Sequence, residues 1–176
     1  MKKPWQTADE LKPSFFARPA LKVAEDLVRC TLVAQQGNNF IFTDIYETGA
    51  YEGGKITARR EGMNDGPGTI FLMPYRGNLF LNIATGNNGI ASCVQIRGLI
   101  ATVKSKRLEL LGPGKLTKHL GISREIDSQP LGEKSNLWIL PYKGYPGVGF
   151  VMSDPKKVKD KGMSENCLAY FRTELE

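Results

Sequence analysis

Turn residues cut this chain into short apolar segments from Thr31 onward, and that punctuation constrains its fold more than any other feature. Gly37-Asn38-Asn39, the Gly- and charge-rich run from Tyr51 to Gly68, Pro74-Tyr75-Arg76-Gly77 and Thr85-Gly86-Asn87-Asn88-Gly89 bound stretches too short for ordinary helices. Short apolar stretches between such punctuators are strands joined by turns. The spacing predicts strands over 31–34, 40–48, 69–73, 78–84 and 92–96, with residues 74–77 at a hairpin tip and 51–68 as a surface loop. Short strands separated by Gly and Pro turns continue through the last third, ending in a closing strand over 168–172. Helical periodicity is confined to two places. Ala20, Val23, Ala24, Leu27 and Val28 recur at i, i+3, i+4, i+7 and i+8, with Pro19 suited to the first turn. Pro113-Gly114 opens a second helix running to about Leu120, with Gly121 as its C-cap. Basic surface segments are read at 104–107 and 156–161. The expectation is one α+β domain over residues 1–176, with a curved antiparallel sheet, packed helices and a protruding β-hairpin.

At 176 residues the chain is long enough to bury a core, and its 41% hydrophobic and 24% charged content is ordinary for a globular protein. No apolar run is long enough to span a bilayer, and no apolar region follows the basic N-terminus, so the expected location is intracellular, cytoplasmic or nucleoid-associated, without membrane contact. Cys30, Cys93 and Cys167 have no paired spacing and read as buried thiols rather than a disulfide framework or zinc site. His119 is the single histidine, which disfavours a multi-histidine metal centre, and it reads as an ordinary helix-surface residue. No cofactor or metal is implied. The net charge of +6 favours a polyanionic partner, because Lys and Arg contacts to phosphate release counterions, but charge alone does not establish one.

Specific strings carry the reading further. Phe15-Phe16-Ala17-Arg18-Pro19, Tyr46-Glu47-Thr48-Gly49-Ala50-Tyr51-Glu52-Gly53, Gly62-Met63 through Pro67-Gly68-Thr69 to Phe71, Asn82-Ile83, Val94-Gln95-Ile96-Arg97-Gly98-Leu99, Gly112-Pro113-Gly114-Lys115-Leu116 and Leu120-Gly121-Ile122 occur in order. Gly147-Val148-Gly149-Phe150 and Tyr170-Phe171-Arg172 extend the similarity less specifically. In that order and spacing the strings resemble the alkyladenine (3-methyladenine) DNA glycosylase family over most of residues 15–122. The resemblance implies a monomer that acts on double-stranded DNA carrying an alkylated base or abasic site. Such an enzyme flips the base into an aromatic pocket and hydrolyses its N-glycosidic bond in base excision repair. A hairpin side chain fills the gap left in the stack.

One departure bears directly on chemistry. The family motif reads Glu-Thr-Glu-Ala-Tyr, and its second glutamate is the general base; Gly49 stands there in this chain. Glu47 matches the first glutamate and shares strand parity with Gly49 and Tyr51, yet lies about 6 to 7 Å farther along the strand. A general base belongs within about 3 Å of its proton. Glu47 is therefore either a displaced catalytic carboxylate or a structural acid.

The resemblance places other residues as well. Tyr51 matches the tyrosine that stacks on the flipped base, or is an ordinary core aromatic. Arg60 stands in place of the pocket histidine, and Met73 in place of a second stacking tyrosine. Asn82 matches the asparagine that reads an exocyclic group, against a strand amide satisfied by backbone. Arg97 matches the arginine near the abasic-site phosphate and the water, against a structural ion pair with Glu47. Tyr75 or Arg76 maps to the intercalating side chain, and Lys115 adds charge where a helix start offers N–H groups to a phosphate. Two readings stay open: a glycosylase with altered chemistry, and a non-catalytic relative that binds damaged or distorted DNA without cutting. A small-molecule enzyme on the same fold has no residue set behind it.

Overall fold

The computed structural model describes residues 3–52, 65–86, 91–103, 105–142, 151–152 and 167–174. Two long antiparallel strands form its spine. Strand β1 (Thr31–Gln36) turns at Gly37-Asn38 into β2 (Asn39–Glu52), which carries fourteen residues, and β3 (Ile70–Tyr75) and β4 (Asn78–Ala84) form a hairpin. Strand β5 (Ser92–Val103) pairs with β2 over most of its length and hands on to β6 (Lys106–Leu111). Strand β7 (Leu137–Leu140) flanks β1, while β8 (Val151–Met152) pairs with β9 (Cys167–Glu174). The sheet runs β3-β4-β5-β2-β1-β7, with β6 beside the second half of β5 and β9 beside the second half of β2. Every pairing is antiparallel, and the architecture is the expected α+β.

One face of this sheet is covered by helices α1 (Pro13–Phe16) and α2 (Ala20–Leu27). Ala20, Val23, Ala24 and Leu27 are fully buried, so the predicted periodicity is the face that packs. They meet Ile45, Ala50, Val94 and Ile96 from the spine in the main core. Each fully buried Leu or Ile here contributes roughly 1.5–3 kcal/mol relative to exposure. The Thr48 hydroxyl donates to the Ala24 carbonyl at 2.8 Å, satisfying a buried polar group at the sheet–helix seam. At the far end Trp5 packs edge-on against Phe40 and Trp138, and Lys3 lies over Trp138 while bonding Glu10 and Glu133. Among the described residues no helix is long and apolar enough to cross a membrane.

Several expectations need correction. Tyr51 and Glu52 continue β2 rather than open a loop, because Tyr51 pairs with Cys93 and Glu52 with Ser92. Pro74 and Tyr75 belong to β3, leaving Arg76 and Gly77 as the whole tip. Both tip residues have positive φ, 47° and 74°, the signature of a two-residue hairpin turn whose twist matches its strands. Strand β5 runs seven residues past its predicted end, and part of the basic stretch 104–107 starts β6. The hairpin protrudes because only Asn82 to Ala84 of β4 pair with β5. Helix α3 (Pro113–His119) braces its base, with the Thr117 hydroxyl donating to the Leu79 carbonyl at 2.8 Å. Gly121 follows α3 at φ 62°, and His119 sits half-buried in the last turn of the helix. The segments 53–64, 143–150 and 153–166, with Arg60 and the basic run 156–161, lie outside the described residues.

Candidate functional site

The site is built on the sheet face opposite α2. Register places Phe71 opposite Asn82, Asn82 opposite Gln95 and Gln95 opposite Gly49, one row across four strands. Residues directly opposite in a sheet point to the same side, with Cβ atoms about 4.5–5.5 Å apart. Tyr51 follows Gly49 by two and so stands on this face. It gathers with Phe71, Ala91, Cys93 and Met73 into a small cluster apart from the main core. Tyr51 and Met73, read separately in the sequence, are thus neighbours. Tyr51 is only 3% exposed.

A polar network runs outward from that cluster. The Tyr51 hydroxyl lies 3.5 Å from Gln95 Oε1, a long contact, and Arg97 Nη1 donates to the same oxygen at 2.8 Å. Arg97 Nε donates to Glu47 Oε1 at 2.9 Å. Arg172 Nε and Nη2 both donate to Glu47 Oε2, at 2.9 and 2.6 Å. The network passes from buried to wet: Gln95 is 2% exposed, while the side chains of Glu47, Arg97 and Arg172 are 13%, 22% and 51% exposed. Hydrogen bonding to Glu47 raises the Arg172 pKa above the ordinary arginine value, so its charge is fixed.

The backbone shifts to make this network. The β2–β5 register is broken on both sides of Glu47, so Glu47 stands opposite Gly98 and Arg97 is left between pairs. Bulges of this kind re-aim side chains. They also explain Gly98: a Cβ there would sit 3.2 Å from Glu47 Cβ and 3.3 Å from the Tyr46 ring. The simple parity that assigned Glu47 to the face of Gly49 therefore does not carry through unbroken, and Glu47 joins the site by way of Arg97.

Asn82 is 2% exposed, and its Nδ2 donates to the carbonyls of Phe71 and Phe80 at 3.2 and 2.9 Å. The backbone satisfies its donors, and Oδ1 faces the Cys93 thiol at 3.8 Å. Arg97 holds the Glu47 ion pair raised as its alternative role. At the hairpin, Tyr75 and Arg76 are exposed, with the Arg76 guanidinium 5.2 Å from the Tyr75 ring. The tip lies about 16 Å from the Asn82 row, since Arg76 is five residues from Phe71 at about 3.3 Å each. Lys115 is exposed on α3 beside the hairpin base.

Sequence reasoning missed two members of the network. Gln95 lay inside a quoted string but received no role, although its alternation with Arg97 on one strand was a usable signal. Arg172 had none, because 125 residues separate it from Glu47.

Comparison with known proteins places the chain in a family. The model of the methylpurine-DNA glycosylase family matches residues 14–152. A relative from Carboxydothermus hydrogenoformans is 34% identical over 77% of this chain and 81% of its own, and one from Nitrosococcus oceani 33% over 84% and 81%. One from Listeria monocytogenes is 28% identical over 86% and 88%. All three carry the provisional name 3-methyladenine DNA glycosylase. With the family model covering well over half of the sequence, the chain belongs to the methylpurine-DNA glycosylase family.

Proposed function

We propose that this protein recognises an alkylated purine extruded from duplex DNA and hydrolyses the N-glycosidic bond only of bases that are already cationic, such as N3- and N7-alkylpurines. One observation carries the reading. Tyr51, Met73, Asn82 and Gln95 stand around Gly49 on one face, while both oxygens of Glu47 are already engaged by Arg97 and Arg172. A face with an aromatic surface and polar groups suits base recognition, and stacking on Tyr51 supplies about 1–3 kcal/mol. The same face brings no carboxylate at Gly49 to activate water. A cationic base leaves readily without such help, and a neutral one does not.

In this reading Tyr75 or Arg76 enters the gap left in the duplex, Lys115 meets phosphate beside the hairpin, and Arg97 and Arg172 hold Glu47 at the edge of the face. The protein acts as a monomer. Arg60 lies outside the described residues and receives no role here.

The test is base release from duplexes containing 7-methylguanine, 3-methyladenine or hypoxanthine, scored as abasic sites. Release above the spontaneous rate is expected for the first two and not for hypoxanthine. A second reading, recognition without cutting, is favoured by the double engagement of Glu47. It predicts salt-dependent binding to duplexes carrying an abasic-site analogue, with no release of any base. Absence of such binding would sink both.

A further inference from the structure

The amide of Gln95 is oriented without ambiguity. Arg97 is only a donor, so the Gln95 atom 2.8 Å from Arg97 Nη1 must be the oxygen. Nε2 therefore points the other way, and among the described residues it donates to nothing. An amide donor without a protein partner is available to a ligand partner. Its neighbours locate that partner. Gln95 stands between Asn82 and Gly49 in the cross-sheet row, and glycine brings no polar group to meet it. Asn82 is locked in the opposite sense: two backbone carbonyls take its donors, and Oδ1, which accepts from the Cys93 thiol at 3.8 Å, keeps a second lone pair. Adjacent positions thus present one donor and one acceptor to the face bearing Tyr51.

We propose that Gln95 is a specificity-determining residue, whose Nε2 donates to a ring nitrogen or carbonyl oxygen on the edge of a flipped purine while Asn82 Oδ1 accepts from a neighbouring N–H. The inference rests on the base-recognition reading above. It selects purines whose edge keeps an adjacent acceptor and donor, as N3- and N7-alkylation leave it, and rejects those whose edge is alkylated or bridged.

The experiment compares two duplexes, one carrying a tetrahydrofuran abasic-site analogue and one carrying 7-deaza-7-methylguanine, a neutral and hydrolytically stable purine with an intact O6/N1–H edge. Gln95→Met removes the amide at nearly constant length. Gln95→Glu keeps an acceptor for Arg97 but replaces the donor with an oxygen. Both variants are expected to lose about tenfold in affinity for the base-bearing duplex, the loss of about 1.4 kcal/mol of hydrogen bonding, and to bind the abasic duplex like wild type. Equal losses on both duplexes, or no loss on either, overturn the role of Gln95. Should Gln95→Met fail to fold, Gln95→Glu decides alone, since a purely structural Gln95 would tolerate it on both duplexes. If wild type prefers neither duplex to undamaged DNA, the base-recognition reading fails first, which separates the two outcomes.

Discussion

The two faces of β2 follow different rules. Toward α2, Ile45, Thr48 and Ala50 are buried against apolar partners, and the single hydroxyl there is satisfied by the Ala24 carbonyl. On the other face, Tyr51 and Glu47 meet Gln95, Arg97 and Arg172 in a network that is buried at one end and wet at the other. The first arrangement is what packing alone would choose. The second buries polar groups and breaks the strand register twice, both of which oppose stability. Local conflict with good packing concentrates where a fold serves a function.

The sharpest way to break that contrast is to restore a carboxylate at the centre of the second face. Gly49→Glu is expected to raise the release of alkylated purines by about 100-fold or more, the range general-base catalysis supplies. Abasic-site formation under single turnover measures it. An unchanged rate in a folded variant would mean that this face does not hold the scissile bond near position 49.

On the helix side the expected effect is on stability instead. Ile96→Ala, at a fully buried position, should cost about 2–5 kcal/mol in urea unfolding without altering the relative affinity for damaged and undamaged DNA. If discrimination collapses along with stability, the two faces are not separable.

How far the sequence revealed this division depends on residue chemistry. Helix α2 was legible because its buried positions recur at helical spacing, and β4 because Asn78 to Ala84 is bounded by turn residues on both sides. Strand β6 was not, since five of its six residues are exposed and no alternation marks it. The second half of β5 was hidden by Gly98, which reads as a strand end until the approach of Glu47 and Tyr46 explains it. Tyr51, Asn82 and Arg97 were named from family strings, and in the structure all three adjoin Gln95. The double bulge at Glu47 leaves no trace in the residue pattern, and the partner it serves comes from the last strand.

The thiols give a smaller test. Cys30 belongs to the helix-side core, where burial pushes its thiol up to about 11 from an ordinary value of 9.0. The folded state keeps this proton where the unfolded chain loses it. The associated stability is therefore complete below about pH 9 and is lost as pH rises through about 11. Cys30→Ala should flatten that part of the pH–stability curve by about 2 kcal/mol relative to wild type. Thiol reagents at pH 8 should leave Cys30 unmodified in the folded protein. Rapid labelling there would show that this face opens.

The smallest expected effect tests the gradient within the network itself. Arg97 and Arg172 engage the same carboxylate at similar distances, so distance alone predicts equal importance. Exposure predicts otherwise. Arg172 is half in water, where its ion pair is screened, and Arg172→Gln should change stability by less than about 1 kcal/mol, a difference that shrinks further in high salt. Arg97 is less than half as exposed and also holds Gln95, so Arg97→Gln should cost about 1.5–3 kcal/mol and resist salt. Equal costs for the two variants would place Arg172 inside the structural core of the network, and Arg172 could then no longer be read as a group that meets phosphate. Unequal costs, with Arg172→Gln lowering the salt dependence of DNA binding by about one ion, would assign the inner arginine to architecture and the outer one to the duplex.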